Sequence, residues 1–140
     1  MRIYVGCSLT QAPDTFKQDV ETFKRRLKQL PDVEVFEFVG LVNGTSKDVY
    51  QTDLGNVERC NVFVAICDLP SIGLGMEIQH AGFFNKRTLC LYHEGVSVTR
   101  MLHGAKELGY LELGTYRVLS EDGVRVVEQY LARHMELAAQ

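Results

Sequence analysis

Asn61-Val62-Phe63-Val64-Ala65-Ile66-Cys67, followed directly by Asp68-Leu69-Pro70-Ser71-Ile72-Gly73-Leu74-Gly75-Met76-Glu77, is the stretch on which the fold turns. Its first part is apolar and β-branched without alternation, as in a strand buried on both faces of a parallel sheet. The turn after it opens a helix predicted to run to about Asn85 and carries Glu77 into the first turn of that helix. Open α/β sheets hold their ligand crevice at the C-terminal ends of the strands, so this carboxylate is placed for chemistry. Gly73 and Gly75 let the backbone pass close to a ligand. Glu77, Ala81 and Phe84 share one helical face, which turns Glu77 inward. An inward carboxylate in a cleft is either a buried structural cap or a nucleophile or base.

Outward from this stretch, strand and helix alternate. Arg2 to Gly6 reads as a short strand, and Pro13 suits the first turn of a helix whose Phe16, Val20, Phe23, Leu27 and Leu30 recur at helical spacing until Pro31. Val33 to Val39 reads as a second strand, and Ser46 as the N-cap of a helix through Arg59. Thr88 to Tyr92 reads as a strand, Val98 to about Leu108 as a helix and Tyr116 to Leu119 as a last strand. Ser120 is expected to cap a final helix of Val124, Val127, Leu131 and Met135. Strands separated by helices imply a doubly wound, flavodoxin-like or Rossmann-like α/β fold: a five-stranded parallel sheet in the order 2-1-3-4-5 with helices on both faces. The first and third strands then lie side by side, and the loop after Tyr4 faces the loop before Glu77 across a crevice.

With 140 residues, 46% hydrophobic and 24% charged, the chain suits one domain with a real core. A net charge of −3 with no basic run beyond Lys24-Arg25-Arg26 argues against nucleic-acid binding and leaves small anions as candidate partners. Cys7, Cys60, Cys67 and Cys90 lie in or beside apolar runs without a C-x-x-C pair, and no signal peptide is evident. They read as reduced thiols of a cytoplasmic protein, and neither disulfide, metal nor cofactor is expected. The four histidines show no metal-ligand spacing, and no apolar span approaches a membrane helix. Asp53 sits at the edge of the apolar stripe Val49, Tyr50, Leu54 and Val57, and is either a partly exposed helix residue or a second site carboxylate.

The run from Tyr50-Gln51-Thr52-Asp53 through Val62-Phe63-Val64-Ala65 and Pro70-Ser71-Ile72-Gly73-Leu74-Gly75-Met76-Glu77 to Thr99-Arg100-Met101-Leu102-His103-Gly104-Ala105 resembles the nucleoside 2-deoxyribosyltransferase superfamily. Within it the likeness is to the 2′-deoxynucleoside 5′-phosphate N-hydrolases. The resemblance implies that Glu77 attacks the anomeric carbon of a 2-deoxyribose and expels the base, giving a covalent glycosyl-enzyme. It implies that Tyr4 donates a hydrogen bond that keeps Glu77 ionised near neutral pH, and that Asp53 orients the substrate or serves as general acid. Ser71 stands where the hydrolases carry serine and the transferases an acidic residue. Ser71, the N–H groups around Gly73 and Gly75, and Ser8 with the Gly6 loop are the expected cradle for a 5′-phosphate, although Ser71 also suits a local turn bond.

Thr99 stands where the hydrolase relatives have a serine that reaches a partner subunit's phosphate site, and Arg100 could add charge there. A homodimer with shared sites follows from that likeness. The first loop, Gly6-Cys7-Ser8-Leu9-Thr10, lacks the arginine of the hydrolases, and the C-terminal tail lacks the asparagine of the transferases. The expected reaction is hydrolysis of 2′-deoxynucleoside 5′-monophosphates, with base exchange on free deoxynucleosides as the alternative and a non-catalytic nucleotide sensor as a further one. A signalling receiver domain would use Asp68 as phosphoacceptor, but Gly6-Cys7-Ser8 offers no acidic pair for its Mg²⁺.

Overall fold

Every side chain of β3 (Val62–Ile66) is buried, because this strand occupies the middle of a five-stranded parallel sheet. The computed structural model describes residues 1–37 and 43–139, with side chains up to His134. The strand order is β2-β1-β3-β4-β5, as expected, with β1 at Arg2–Cys7, β2 at Glu34–Val35, β4 at Arg87–His93 and β5 at Glu112–Tyr116. Period-two alternation divides β1 and β3 between two cores. Ile3, Val5, Val62, Val64 and Ile66 pack with Val20, Phe23 and Leu27 of α1 (Asp14–Leu27) and with Val127, Tyr130 and Leu131 of α5 (Val124–Ala139). Tyr4, Phe63 and Ala65 face the other way, toward Val57 of α2 (Ser46–Arg59) and Leu74 and Ala81 of α3 (Ile72–Phe83). Leu102 of α4 (Arg100–Glu107) packs against that second core. The outgoing connections of β1 and β3 therefore leave on opposite faces, which opens the crevice between them.

Several boundaries differ from expectation for identifiable reasons. The cap of α2 is Thr45, not Ser46. Thr45 Oγ1 accepts from Asp48 N at 3.1 Å and Asp48 Oδ2 accepts from Thr45 N at 2.9 Å, a reciprocal box that Ser46 cannot form with Val49. The last strand, expected at Tyr116 to Leu119, instead runs Glu112–Tyr116, and beyond it both oxygens of Asp122 accept backbone N–H groups, from Arg117 and Val118 at 2.8 Å each. The chain then makes a wide turn over Leu119–Gly123 into α5, so Ser120 caps nothing. Extended pairing of β2 covers Glu34 and Val35, and the rest of the strand expected to Val39 lies partly outside the described residues. Met135 likewise lies beyond the described side chains.

Asp68 is a structural pin. It accepts from His93 N at 3.1 Å and from the Tyr116 hydroxyl, tying the end of β3 to β4 and β5. Among the described residues no helix is long and apolar enough to cross a membrane.

The reciprocal box carries a testable consequence. Thr45→Ala should lower stability by about 1 kcal/mol in urea unfolding, whereas Ser46→Ala should leave the midpoint within error.

Candidate active site

Ser71 decides where Glu77 stands. Its hydroxyl accepts from Leu74 N at 3.1 Å and starts α3 at Ile72, so Gly73 and Gly75 lie inside the helix. Glu77 consequently sits in the second turn, one turn later than expected. The helix dipole acts on it more weakly there, since the effect fades beyond the first turn. The side chain is 8% exposed and turned toward β1. Gly6 makes that approach feasible: a Cβ there would fall 2.7 Å from Glu77 Oε2 and 2.8 Å from the Phe63 ring. The Tyr4 ring stacks on Phe63 with centroids 5.5 Å apart, and its hydroxyl donates to Glu77 Oε1 at 3.5 Å, the outer limit of a hydrogen bond. Glu77 Oε2 closes no hydrogen bond at all.

A cavity of about 350 Å³ opens beside this oxygen. Tyr4, Gly6, Ser71 and Gly73 line it with Glu77, and Asp53 enters from α2. Asp53 Oδ1 is buried without a hydrogen-bond partner. The cavity thus brings together two carboxylates, each with an unsatisfied oxygen, a phenol and the capped start of a helix. A buried carboxylate with a bare oxygen can act as nucleophile or base, and a second carboxyl beside it can hold or deliver a proton.

Electrostatics run against the expected ionisation. Burial, and then the charge of Asp53, push the Glu77 carboxyl up to about 8, and the long bond from Tyr4 opposes them without winning. Glu77 therefore favours its protonated form at neutral pH. Burial raises Asp53 as well. It also lifts the Cys7 thiol on the cavity wall to about 11, so that thiol stays neutral.

The other expected phosphate ligands divide. Gly73 lines the cavity, and its N–H, like that of Ile72, belongs to the first helical turn and has no intrahelical acceptor. Gly75 does not serve in the expected way, since its N–H goes to Ser71 O at 3.1 Å and it lines the neighbouring cleft. Ser8 is buried, while Cys7, Leu9 and Thr10 around it form the wall. Thr99 caps α4, accepting from Met101 N at 3.3 Å, and lines the neighbouring cleft of about 440 Å³ on the other side of the α3 N-terminus. Arg100 is exposed at the start of α4. Within one copy of the chain, neither Thr99 nor Arg100 lines the cavity of Glu77.

Sequence reasoning missed the cations. Lys17, Glu21 and Lys24 of α1 line the cavity, and Lys24 is 3% exposed with Nζ 3.3 Å from Glu21 Oε1. The signal was there: Val20, Lys24 and Leu27 recur on the buried stripe of α1, so Lys24 interrupts an inward-facing row. Among the described residues no group of three His, Cys, Asp or Glu side chains is arranged to hold a metal ion.

The 2-1-3-4-5 parallel sheet has a deoxyribosyltransferase-like architecture. A Clostridium botulinum CMP N-glycosidase superposes with a TM-score of 0.74 over 93% of this chain and 99% of its own, at 17% identity. A Leishmania mexicana 2-deoxyribosyltransferase superposes with a TM-score of 0.57 over 66% of this chain and 65% of its own, at 15% identity. No protein-family model matches the chain. Curated proteins do. A Danio rerio 5-hydroxymethyl-dUMP N-hydrolase is 30% identical over 127 residues, covering 81% of this chain and 87% of that protein. The Homo sapiens 5-hydroxymethyl-dUMP N-hydrolase is 33% identical over 95 residues, 66% of this chain, and the chain spans about half (51%) of that protein's length. The chain belongs to the family of these nucleotide N-hydrolases, within the deoxyribosyltransferase-like fold.

The proton on Glu77 links the site to stability. Below pH 4.5 the group is protonated in both folded and unfolded chains and contributes nothing. Between 4.5 and about 8 the unfolded chain loses the proton while the folded chain keeps it, so stability falls as pH rises through that window. Glu77→Gln cannot titrate, and its Tm advantage over the parent should be small near pH 4.5 and grow up to about pH 8. A constant difference across that range would contradict the assignment.

Proposed function

We propose that this protein cleaves the N-glycosidic bond of 2′-deoxynucleoside 5′-monophosphates, with Glu77 as nucleophile. The observation that carries the reading is the unpartnered Oε2 of Glu77, buried against Gly6 in a cavity that Asp53 also enters. Glu77 attacks C1′ of the sugar, and the C1′–N bond breaks with its electron pair passing to the base. A base leaves far more readily once protonated, and Asp53, whose carboxyl is raised by burial, supplies that proton or orients the base to receive it from water. Water then attacks C1′ and the ester bond breaks. The products are 2-deoxyribose 5-phosphate and the regenerated carboxylate.

The 5′-phosphate meets the Ser71 hydroxyl, the first-turn N–H groups of Ile72 and Gly73, and the lysines of α1. Ser71 already accepts from Leu74 N, which leaves its own proton to donate. Lys17 and Lys24 supply positive charge that the first loop lacks, and they favour a phosphorylated substrate over a free nucleoside. The substrate for which those relatives are named, 5-hydroxymethyl-dUMP, supports the same class.

The working form is a homodimer. Ile72 and Met101, 88% and 82% exposed, flank the cleft that Thr99 lines, and Phe83 lies exposed on the same helix as Ile72. A second copy covering this surface would bring Thr99 and Arg100 toward the partner's phosphate.

Product analysis tests the reading. Incubation with 5-hydroxymethyl-dUMP should release free base and 2-deoxyribose 5-phosphate, and Glu77→Gln should reduce turnover by roughly 10³-fold or more. A new nucleoside formed from thymidine and added adenine, with deoxynucleotides untouched, would instead make the protein a base-exchanging transferase.

The pH profile tests the roles. Because Glu77 must lose its proton to attack, kcat/KM should rise with pH through about 8. As an anion Asp53 helps hold this proton and orients the base, so Asp53→Asn should move the rise to lower pH; were Asp53 the acid, the parent profile would fall again at high pH and Asp53→Asn would lose that falling limb.

A further inference from the structure

Asn56 lies one turn after Asp53 on α2, is 6% exposed, and has no part in the chemistry described so far. Its amide orientation is fixed by chemistry. Arg59 Nη2 donates to Asn56 Oδ1 at 2.7 Å, and because a guanidinium only donates, the oxygen end must face Arg59. The NH₂ end is thereby directed inward, where Nδ2 is buried and closes no hydrogen bond of ordinary length. An unsatisfied buried donor is costly and calls for an explanation. Burial raises the Tyr4 phenol, and hydrogen bonding from the Asn56 side chain opposes that rise, so the amide borders this hydroxyl.

We propose that Asn56 is a positioning residue for the nucleophile: its Nδ2 donates to the Tyr4 oxygen and so commits the Tyr4 proton to Glu77. The inference rests on the reading of Glu77 as the attacking group. A phenol oxygen that accepts on one side donates more strongly on the other, since bonds in a chain polarise one another. Tyr4 Oη is already within 3.5 Å of Glu77 Oε1, and a small closure of the substrate-filled cavity tightens both contacts. The result is a line from the surface to the nucleophile, Arg59 to Asn56 to Tyr4 to Glu77, which favours the carboxylate over the acid. The other ionisable groups facing Glu77 are Cys7 of β1 and Asp53 of α2, with Lys17, Glu21 and Lys24 of α1 across the cavity. On its own helix His80 turns outward to Glu58 at 2.9 Å.

The test follows the Glu77 titration in three variants, by carboxyl ¹³C NMR of the ligand-free protein, with Glu77→Gln assigning the signal. The same variants are followed in the pH profile of kcat/KM on 5-hydroxymethyl-dUMP. Asn56→Leu removes the donor and should move both titrations upward by about half a pH unit or more. Asn56→Asp keeps the shape but draws the phenol proton away from Glu77, and should move them further in the same direction. Arg59→Met, at an exposed position that cannot threaten the core, should give a smaller upward shift by freeing the amide. In a Tyr4→Phe background Asn56→Leu should add nothing. Folded variants whose Glu77 titrates as in the parent would overturn the proposal, even if their Tm or kcat were reduced. Should the parent turn over no deoxynucleotide, the functional reading fails on its own, and the NMR titration still decides on Asn56.

Discussion

A carboxylate pressed against a strand backbone, with one oxygen bonded to nothing, is an expensive object to bury, and most of what surrounds Glu77 follows from that cost. Gly6 has to be glycine because any side chain would meet Oε2 at 2.7 Å. The Phe63 ring fills the floor beside it and carries the stacked Tyr4. The cheapest way to tolerate the burial is to keep the proton, which is why the group is pushed up to about 8. That makes ionisation the controlled step. On the proposed reading, a cationic sugar carbon forming within reach of Oε2 would favour the anion strongly in a medium poorer than water at screening charge, whereas the neutral ground state of the sugar would not. Stabilisation that appears only as charge develops is the kind that lowers a barrier.

The sheet explains why these groups converge. Tyr4 and Phe63 are register partners on β1 and β3, and both point to the face covered by α2 and α3, which deliver Asp53 and Glu77. Register pairing of β1 with β2 ends at Ile3 among the described residues. The cavity is lined by Val5 and Cys7 as well as Tyr4 and Gly6, so it draws on both faces of the β1 edge and reaches α1. One strand thus presents a phenol and a bare backbone to the carboxylates, and passes beside a helix that carries lysines.

The fold was legible because the signals for it are strong: an uninterrupted apolar run for β3, helical spacing in α1, and the strand–helix alternation that fixes the order of the sheet. Boundaries set by single side chains were not. Thr45 against Ser46, and the turn that Asp122 imposes after Tyr116, depend on which hydroxyl or carboxylate reaches which N–H, and periodicity is blind to that. In the site, the inward turn of Glu77 and the approach of Tyr4 could be read from spacing and strand order. The balance between burial and hydrogen bonding could not, because it hangs on a contact of 3.5 Å, too long to offset the burial. Lys24 counted only as part of the basic run Lys24-Arg25-Arg26, because a lysine in an inward row reads as a snorkelling surface residue until the cavity it borders is known.

If Glu77 is the nucleophile, as proposed, those lysines bear on its ionisation as well as on affinity. A phosphate group carries close to two negative charges near neutral pH, and bringing it into the cavity of a carboxylate already raised by Asp53 would raise that carboxylate further. A phosphate bound by neutral donors alone, such as the Ser71 hydroxyl and first-turn N–H groups, would therefore hold the nucleophile in its inactive acid form. In that reading Lys17 and Lys24, which line the same cavity, counter that field, and Glu21, 3.3 Å from Lys24, takes up part of that lysine's charge. On this account the α1 cations let a phosphorylated substrate bind without disarming Glu77. In the proposed reading, the absence of a first-loop arginine is a change in where the positive charge comes from.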